Sequence, residues 1–269
     1  MKNTGAVAVL TFKEGLRQRI LYGSIIFAVL VMVFAVLISG FFLRDIAKVT
    51  IDFCLSAVNI GGILVPLFLG INLLAKDIER KTIYSILSKS ISRQQYVIGK
   101  FGGLTLLTVA IMAILSLATV LAITGSMQLY GDKFFAAVSW RPILIAICSS
   151  FLGLCLLNAT VILWSIITTS SFLATLLTLF TYIIGNTSDD ILRFVSNPPP
   201  DVKITAPILW IVRGAYYLFP NFSAFDFKQQ AAHSLAIYSK DLLHLVIYAC
   251  AYIIAIIGLA TLLFKKRDL

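Results

Sequence analysis

Few residues in this chain have side chains that could perform chemistry, and they are far apart in the sequence. His233 and His244 are separated by eleven positions, so they do not share one helical face, and neither has a carboxylate at metal-site spacing. This spacing favours ordinary histidines at a membrane interface over metal ligands. The four cysteines all fall inside apolar runs, which predicts inert packing residues: Cys54, Cys148, Cys155 and Cys250. The sequence therefore predicts no catalytic, cofactor or metal site.

The pair Gly99-Lys100 does not belong to a nucleotide-binding loop. A phosphate-binding loop needs an earlier glycine and a Ser or Thr directly after the lysine, and this sequence has neither. We therefore expect that the chain does not itself hydrolyse ATP.

Charged residues avoid the middle of the apolar runs. No Asp, Glu, Lys or Arg falls well inside a predicted span, and Asp52 is predicted only at the edge of one. Transporters driven by protons or ions usually place such residues within the membrane. The sequence therefore favours an energy source outside this chain.

The composition is that of a membrane protein. Hydrophobic residues make up 59% of the 269 residues, charged residues only 13%, and the mean hydropathy is +0.97. The net charge of +10 does not indicate nucleic-acid binding, because the basic residues are sorted by loop. We expect an all-α, polytopic integral membrane protein that forms one permease-like domain over residues 1–269.

Six apolar runs are long enough to cross a bilayer, which requires about 20 residues. The predicted spans are residues 20–42, 52–75, 97–125, 142–168, 171–187 and 242–264. The fifth is the shortest, and it could continue through Ile191 to Val195. Residues 3–19 mix apolar and charged side chains, which predicts an amphipathic helix lying on the membrane before the first span.

The loop charges predict the orientation. If the amino terminus is cytoplasmic, the inner segments hold 13 of the 22 basic residues and 4 of the 12 acidic ones. This is a clear positive-inside bias. We therefore expect both termini and residues 76–100 to be cytoplasmic, and residues 188–241 to form the one long outer segment.

Residues 76–100 are the longest strongly charged interruption between two apolar runs. Ile83, Ile86 and Leu87 would share a helical face, with Glu79 and Arg80 among their polar neighbours, which predicts a short amphipathic surface helix. Anionic lipid head groups or a soluble partner could each be what this helix contacts. Further along, Ser92 and Gln95 have the spacing of a capping box, which predicts a chain break and then a new helix towards Lys100.

Several of these residues resemble the signature of ABC type-2 permeases. The resembling positions are Glu79, Thr82, Leu87, the run 88–93 with its Ile-Ser-Arg, and Gly99-Lys100. The run Phe219-Pro220-Asn221-Phe222 and the basic carboxyl terminus extend the resemblance over the whole chain. The sequence departs from the family pattern at Lys81, where Gly is usual, and at Ser90, where Pro is usual. Within the family, the chain most resembles the permeases found with copper-enzyme maturation systems.

The resemblance implies a function and partners. The loop 76–93 would be a coupling helix that docks on a separate cytoplasmic ATPase. Its implied docking residues are Glu79, Arg80, Thr82, Ile83, Ile86, Leu87 and Arg93. ATP and magnesium would be held by that ATPase dimer, and a second permease copy, identical or closely related, would complete an exporter in the inner membrane. An accessory protein outside the cytoplasm is a further partner to expect.

Two other features bear on transport. Asn59, Asn72 and Asn158 lie inside predicted spans, where they could line a path or bond one helix to another. The outer segment gathers aromatic residues around Pro207 and Pro220 in pieces too short to cross the membrane, which predicts re-entrant or interfacial helices. We interpret Phe219 and Phe222 as an extracytoplasmic gate, with simple anchoring in lipid as the alternative.

Two other functions stay open at this stage. The chain could be a membrane scaffold that transmits ATPase motion to an extracytoplasmic partner without moving a substrate. It could also be a secondary transporter, although the absence of charge inside the spans disfavours this.

Overall fold

The computed structural model describes residues 2–18, 20–42, 45–71, 92–136, 138–197 and 205–266. Within these ranges the chain is helical, with short turns and no strand. In chain order the α-helices are α1 (Lys2–Arg17), α2 (Ile20–Ser39), α3 (Ile46–Leu64), α4 (Arg93–Tyr130), α5 (Trp140–Ile167), α6 (Ser171–Ser196), α7 (Ala206–Leu218), α8 (Lys228–Ala232) and α9 (Ser239–Lys266). A π-helical turn, Val65–Gly70, extends α3, and 3-10 turns lie at Asp132–Phe135 and Ser223–Phe225.

Six of the described helices are long and apolar enough to cross a membrane: α2, α3 with its π-helical turn, α4, α5, α6 and α9. This confirms the prediction of an all-α, multi-pass membrane protein. Helix α4 has 38 residues, so at about 1.5 Å per residue it is much longer than the roughly 30 Å hydrocarbon core of a bilayer. It must therefore tilt or extend beyond the membrane.

Several predicted spans were too short at one or both ends. The fifth span continues to Ser196 rather than residue 187, because Arg193 pairs with Asp189 at 2.9 Å and Val195 is buried. The last spanning helix begins at Ser239, not residue 242. Helix α3 begins at Ile46, so the exposed Asp52 lies inside this helix rather than at its edge.

Helices α4 and α5 form the centre of the bundle. Helix α4 packs against α1, α2, α3, α5 and α9, and α5 has the most buried span. By contrast, α2, α6 and α9 keep rows of large apolar side chains exposed. Such rows are what lipid tails or another membrane subunit would contact.

The two ends of the bundle differ in composition. At one end, which we call the basic end, α1 and the end of α9 meet the start of α4. At the other, the aromatic end, lie α7, the turn of residues 219–227, α8 and the start of α9. Helix α8 closes this end by packing Ala231 and Ala232 against Ile46 of α3 and Ile143 of α5.

Candidate functional site

The start of α4 is fixed by the predicted capping box. Ser92 Oγ accepts a hydrogen bond from the Gln95 amide at 3.2 Å, and the Ser92 amide donates to Gln95 Oε1 at 3.1 Å. These bonds satisfy amides that a helix start leaves unpaired. The prediction of a new helix at this point is confirmed.

Of the seven predicted docking residues, the structure describes only Arg93. The other six lie outside the described residues: Glu79, Arg80, Thr82, Ile83, Ile86 and Leu87. Arg93 is the first residue of α4 and the last residue of the predicted docking loop. Its contacts therefore show what that loop is attached to.

Arg93 ties the start of α4 to the end of α9. Its Nη1 donates to the carbonyl oxygens of Phe264 and Lys265 at 2.8 and 3.0 Å, and its guanidinium carbon lies 5.7 Å from the centre of the Phe264 ring. A cation is favourable here because the last carbonyls of a helix lack partners and carry partial negative charge. Tyr96, one turn further along α4, stacks on Phe264 with ring centres 6.1 Å apart.

Helix α1 packs closely on the same part of α4 through glycines. A Cβ added at Gly99 would lie 2.6 Å from Cβ of Val7, and one added at Gly103 would lie 2.5 Å from Cβ of Thr11. Only glycine permits this approach of the two helices. The GxxxG spacing of Gly99 and Gly103 is therefore a helix-packing surface.

Lys100 lies beside this packing surface and is only 3% exposed. Its Nζ is 3.8 Å from Oε2 of Glu14 on α1 and 5.7 Å from the centre of the Tyr96 ring. No role for this buried cation was predicted from the sequence. Lys100 follows Tyr96 by four residues, so helical periodicity could have predicted that both lie on one face of α4. Nothing in the sequence pointed to Glu14.

At the aromatic end, Phe222 holds the turn of residues 219–227 on α6. The Phe222 side chain is 6% exposed, and its ring centre lies 5.4 Å from that of Tyr182. The Phe222 amide donates to the Gly185 carbonyl at 3.0 Å. A Cβ at Gly185 would collide with the carbonyl oxygen of Pro220, so glycine is required for the turn to sit here.

Phe219 and Phe222 have different environments. Phe219 ends α7, where its amide donates to the Ala215 carbonyl at 3.0 Å, and its side chain is partly exposed. Phe222 is buried inside its own subunit. Of the two residues predicted to form a gate, Phe222 therefore anchors the turn and Phe219 remains accessible.

A family comparison decides what kind of membrane protein this is. The family model described as ABC-2 family transporter protein matches residues 6–269, nearly the whole chain. The chain belongs to the ABC-2 transporter family. Among curated proteins the comparison finds no match.

Membership confirms the resemblance seen in the sequence at the family level. An ABC-2 permease is the membrane subunit of an ABC transporter and is generally non-catalytic, so the family implies an ATPase partner and a membrane location. The finer resemblance to permeases of copper-enzyme maturation is not confirmed and stays a prediction.

Of the three predicted path residues of this ABC-2 permease, the two that the structure describes, Asn59 and Asn158, have different surroundings. Asn158 is fully buried, and its Nδ2 donates to Thr108 Oγ1 on α4 at 2.8 Å. This contact fits the alternative of helix-to-helix bonding. Asn59 instead lines a small cavity under the turn, which Tyr182, Asn186 and Asp226 also line. Asn72 lies outside the described residues.

The small cavity next to Asn59 was not predicted. Its volume is about 20 Å³, which is room for roughly one water molecule. Polar side chains from α3, α5 and α6 meet there directly beneath Phe222 and Phe225. The sequence could not show this, because these residues lie on separate helices and meet only when the helices pack.

Proposed function

We propose that this ABC-2 permease works as an exporter subunit driven by a separate cytoplasmic ATPase that docks on residues 76–93. The observation that carries the proposal is the attachment of Arg93. At the end of the docking loop, this residue bonds to the last turn of α9. A movement of the loop is thereby passed to the last spanning helix as well as to α4.

The surrounding contacts extend this transmission to the amino terminus. Gly99 and Gly103 seat α1 on α4, and Lys100 faces Glu14. Helices α1, α4 and α9 therefore meet within about three turns of the loop. A docked ATPase would act on α1 and on the third and last spanning helices through one junction.

In this proposal the basic end is cytoplasmic. The positive-inside bias supports this orientation, in which both termini would be cytoplasmic and the protein would lie in the inner membrane. The ATPase dimer would hold ATP and magnesium. A second permease, identical or closely related, would complete the transporter, and the exposed apolar rows of α2, α6 and α9 are surfaces available to it.

Substrate would leave between the two permeases at the aromatic end. The turn of residues 219–227 rests on α6 through Phe222 and Gly185, so opening there requires either this contact to break or α6 to move with the turn. Phe219 and Phe222 remain our proposed gate, and Asn59, Asn72 and Asn158 remain the proposed path residues. An accessory protein would bind on this side.

Co-purification with the ATPase tests the docking proposal. We would replace Glu79 by Arg, Arg80 by Glu and Ile83 by Trp, and measure retention of the ATPase together with its stimulated activity. The matched control is Lys13→Glu, a charge reversal at an exposed position of α1 at the same end.

We expect the three loop variants to lose the complex or its stimulation while the control keeps both. Wild-type values in all three loop variants would refute docking at this loop. ATPase turnover without transport in the intact complex would instead identify a scaffold that only transmits motion.

A further inference from the structure

A cleft of about 580 Å³ lies at the aromatic end, between the end of α7, the turn of residues 219–227 and the first half of α9. This volume is within the range of small-molecule sites, roughly 300–1,000 Å³. We call it the tyrosine cleft, because four tyrosines line it: Tyr216, Tyr217, Tyr248 and Tyr252. It is separate from the docking junction at the basic end.

The tyrosines form two pairs that are held in place by backbone contacts. The rings of Tyr216 and Tyr217 lie 5.6 Å apart and nearly perpendicular, and those of Tyr248 and Tyr252 lie 4.7 Å apart. The Tyr252 hydroxyl donates to the Tyr217 carbonyl at 3.4 Å, and the Tyr248 hydroxyl accepts from the Asn221 amide at 2.8 Å. The walls of the cleft are thus positioned by the fold before any ligand arrives.

The lining of the cleft holds one carboxylate and one histidine. Asp241 and His244 line it beside Tyr248 and Tyr252, since positions 241, 244, 248 and 252 share one face of α9. The residues that line the cleft include no lysine or arginine. Among nearby cations, Lys228 pairs with Asp226 at 3.0 Å, and neither Arg213 nor Lys240 is one of the residues that line the cleft.

We propose that the tyrosine cleft binds an organic cation, a quaternary ammonium or protonated amine group. Aromatic faces attract such a cation through their quadrupoles, and the Asp241 carboxylate supplies the opposite charge. An anion would be repelled by this carboxylate, and a purely apolar ligand would leave it unused. The proposal does not depend on ATPase docking at the basic end.

Two sources could supply this chemistry, a free organic cation and the head group of a choline lipid. The test uses the full chain in nanodiscs of phosphatidylglycerol, which contains no amine. Binding of tetramethylammonium, and separately of dihexanoyl phosphatidylcholine, is measured by saturation-transfer NMR on the N-methyl signal. Sodium chloride at equal ionic strength controls for charge screening.

The variants are chosen so that folding is retained. Tyr217 is 78% exposed and Asp241 is exposed, so Tyr217→Leu and Asp241→Asn remove a ring and a charge with little effect on packing. Tyr252→Leu tests the opposite wall. The control is Tyr238→Leu, which removes an equally exposed ring at the same end but outside the cleft.

We expect saturable binding that weakens about 3- to 30-fold for each cleft variant, the range expected for a cation on an aromatic face. The control variant should bind as the wild type does. Binding of the short lipid alone, if lost in the cleft variants, would support the site and identify its source as a head group. Absence of saturable binding by both ligands, or equal binding in all variants, would overturn the proposal and leave the rings as interfacial anchors.

Discussion

At the basic end, three helices are joined directly, whereas at the aromatic end the closure is made by a turn laid onto the bundle. The basic end uses glycines for close approach and two cations, Arg93 and Lys100, for contacts between helices. The aromatic end uses Phe222 on Gly185 and Tyr182. In the function we propose, the first arrangement would transmit movement, and the second would separate while the spanning helices stay folded. A permease driven from one side and opened on the other needs this difference.

The proposed function requires that the basic end and the aromatic end lie on opposite sides of the membrane. We expect a cysteine introduced at Lys228 to react with an impermeant thiol reagent in intact cells, and one at Lys89 to react only after lysis. The four native cysteines are first replaced by alanine, and accessibility in lysed cells is the control. Labelling of position 89 from outside would break the six-span topology.

Phe222→Ala should have the largest effect on stability. Removing a buried ring usually costs about 3–5 kcal/mol, and the turn would lose its anchor on α6. Phe219→Ala, at the partly exposed neighbour, is the matched control and should cost about 1 kcal/mol or less. Thermal unfolding of the purified protein measures both, and equal losses would show that the anchor has been misassigned.

The same two phenylalanines test the gate. If the turn separates during transport, the double alanine variant should raise basal ATPase activity of the complex and weaken its dependence on substrate. A cysteine pair that crosslinks the partly exposed position 219 between two subunits without affecting transport would contradict a moving gate.

Gly103→Ala tests the close packing at the basic end. The added Cβ would lie 2.5 Å from Thr11 and 2.8 Å from the Ala8 carbonyl oxygen, so overpacking should cost about 1–3 kcal/mol. Gly125→Ala on the same helix is the control, because nothing lies within 4 Å of its Cβ position, and it should be neutral or slightly stabilising. If both variants unfold at the wild-type temperature, α1 does not pack closely on α4 at Gly103.

Asn158→Leu should have the smallest effect. Interhelical hydrogen bonds in membranes contribute about 0.6 kcal/mol on average, and Thr108→Val removes the same bond from the other side. A double-mutant cycle of the two measures their coupling. If transport is lost in Asn158→Leu but kept in Thr108→Val, Asn158 acts in the substrate path and not only as a bond between helices.

The sequence predicted local features well. The Ser92 and Gln95 cap and the six spans follow from patterns of residue type along the local sequence. The end of the fifth span was misplaced because the acidic residues there suggested a loop, whereas Asp189 and Arg193 pair along the continuing helix.

Contacts between distant parts of the chain could not be predicted. Arg93 and Phe264 are 171 positions apart, and nothing in either local pattern specifies their bond. The close contact of Pro220 with Gly185 and the burial of Lys100 beside Glu14 likewise depend on how the helices pack. Family resemblance predicted a docking function for the loop 76–93, but only the fold shows that Arg93, at the end of this loop, bonds to α9.

In the function we propose, Arg93 passes movement of the docked ATPase to α9. The most direct test of this step is ATP hydrolysis by the reconstituted complex carrying Arg93→Gln, with Arg93→Lys as the partner variant that keeps the charge. We predict that the Arg93→Gln permease still binds the ATPase but loses most of the stimulation of ATP hydrolysis. Arg93→Lys should keep an intermediate level of stimulation, because lysine remains a cation near the α9 carbonyls. Wild-type stimulation by Arg93→Gln, with the complex intact, would contradict this account.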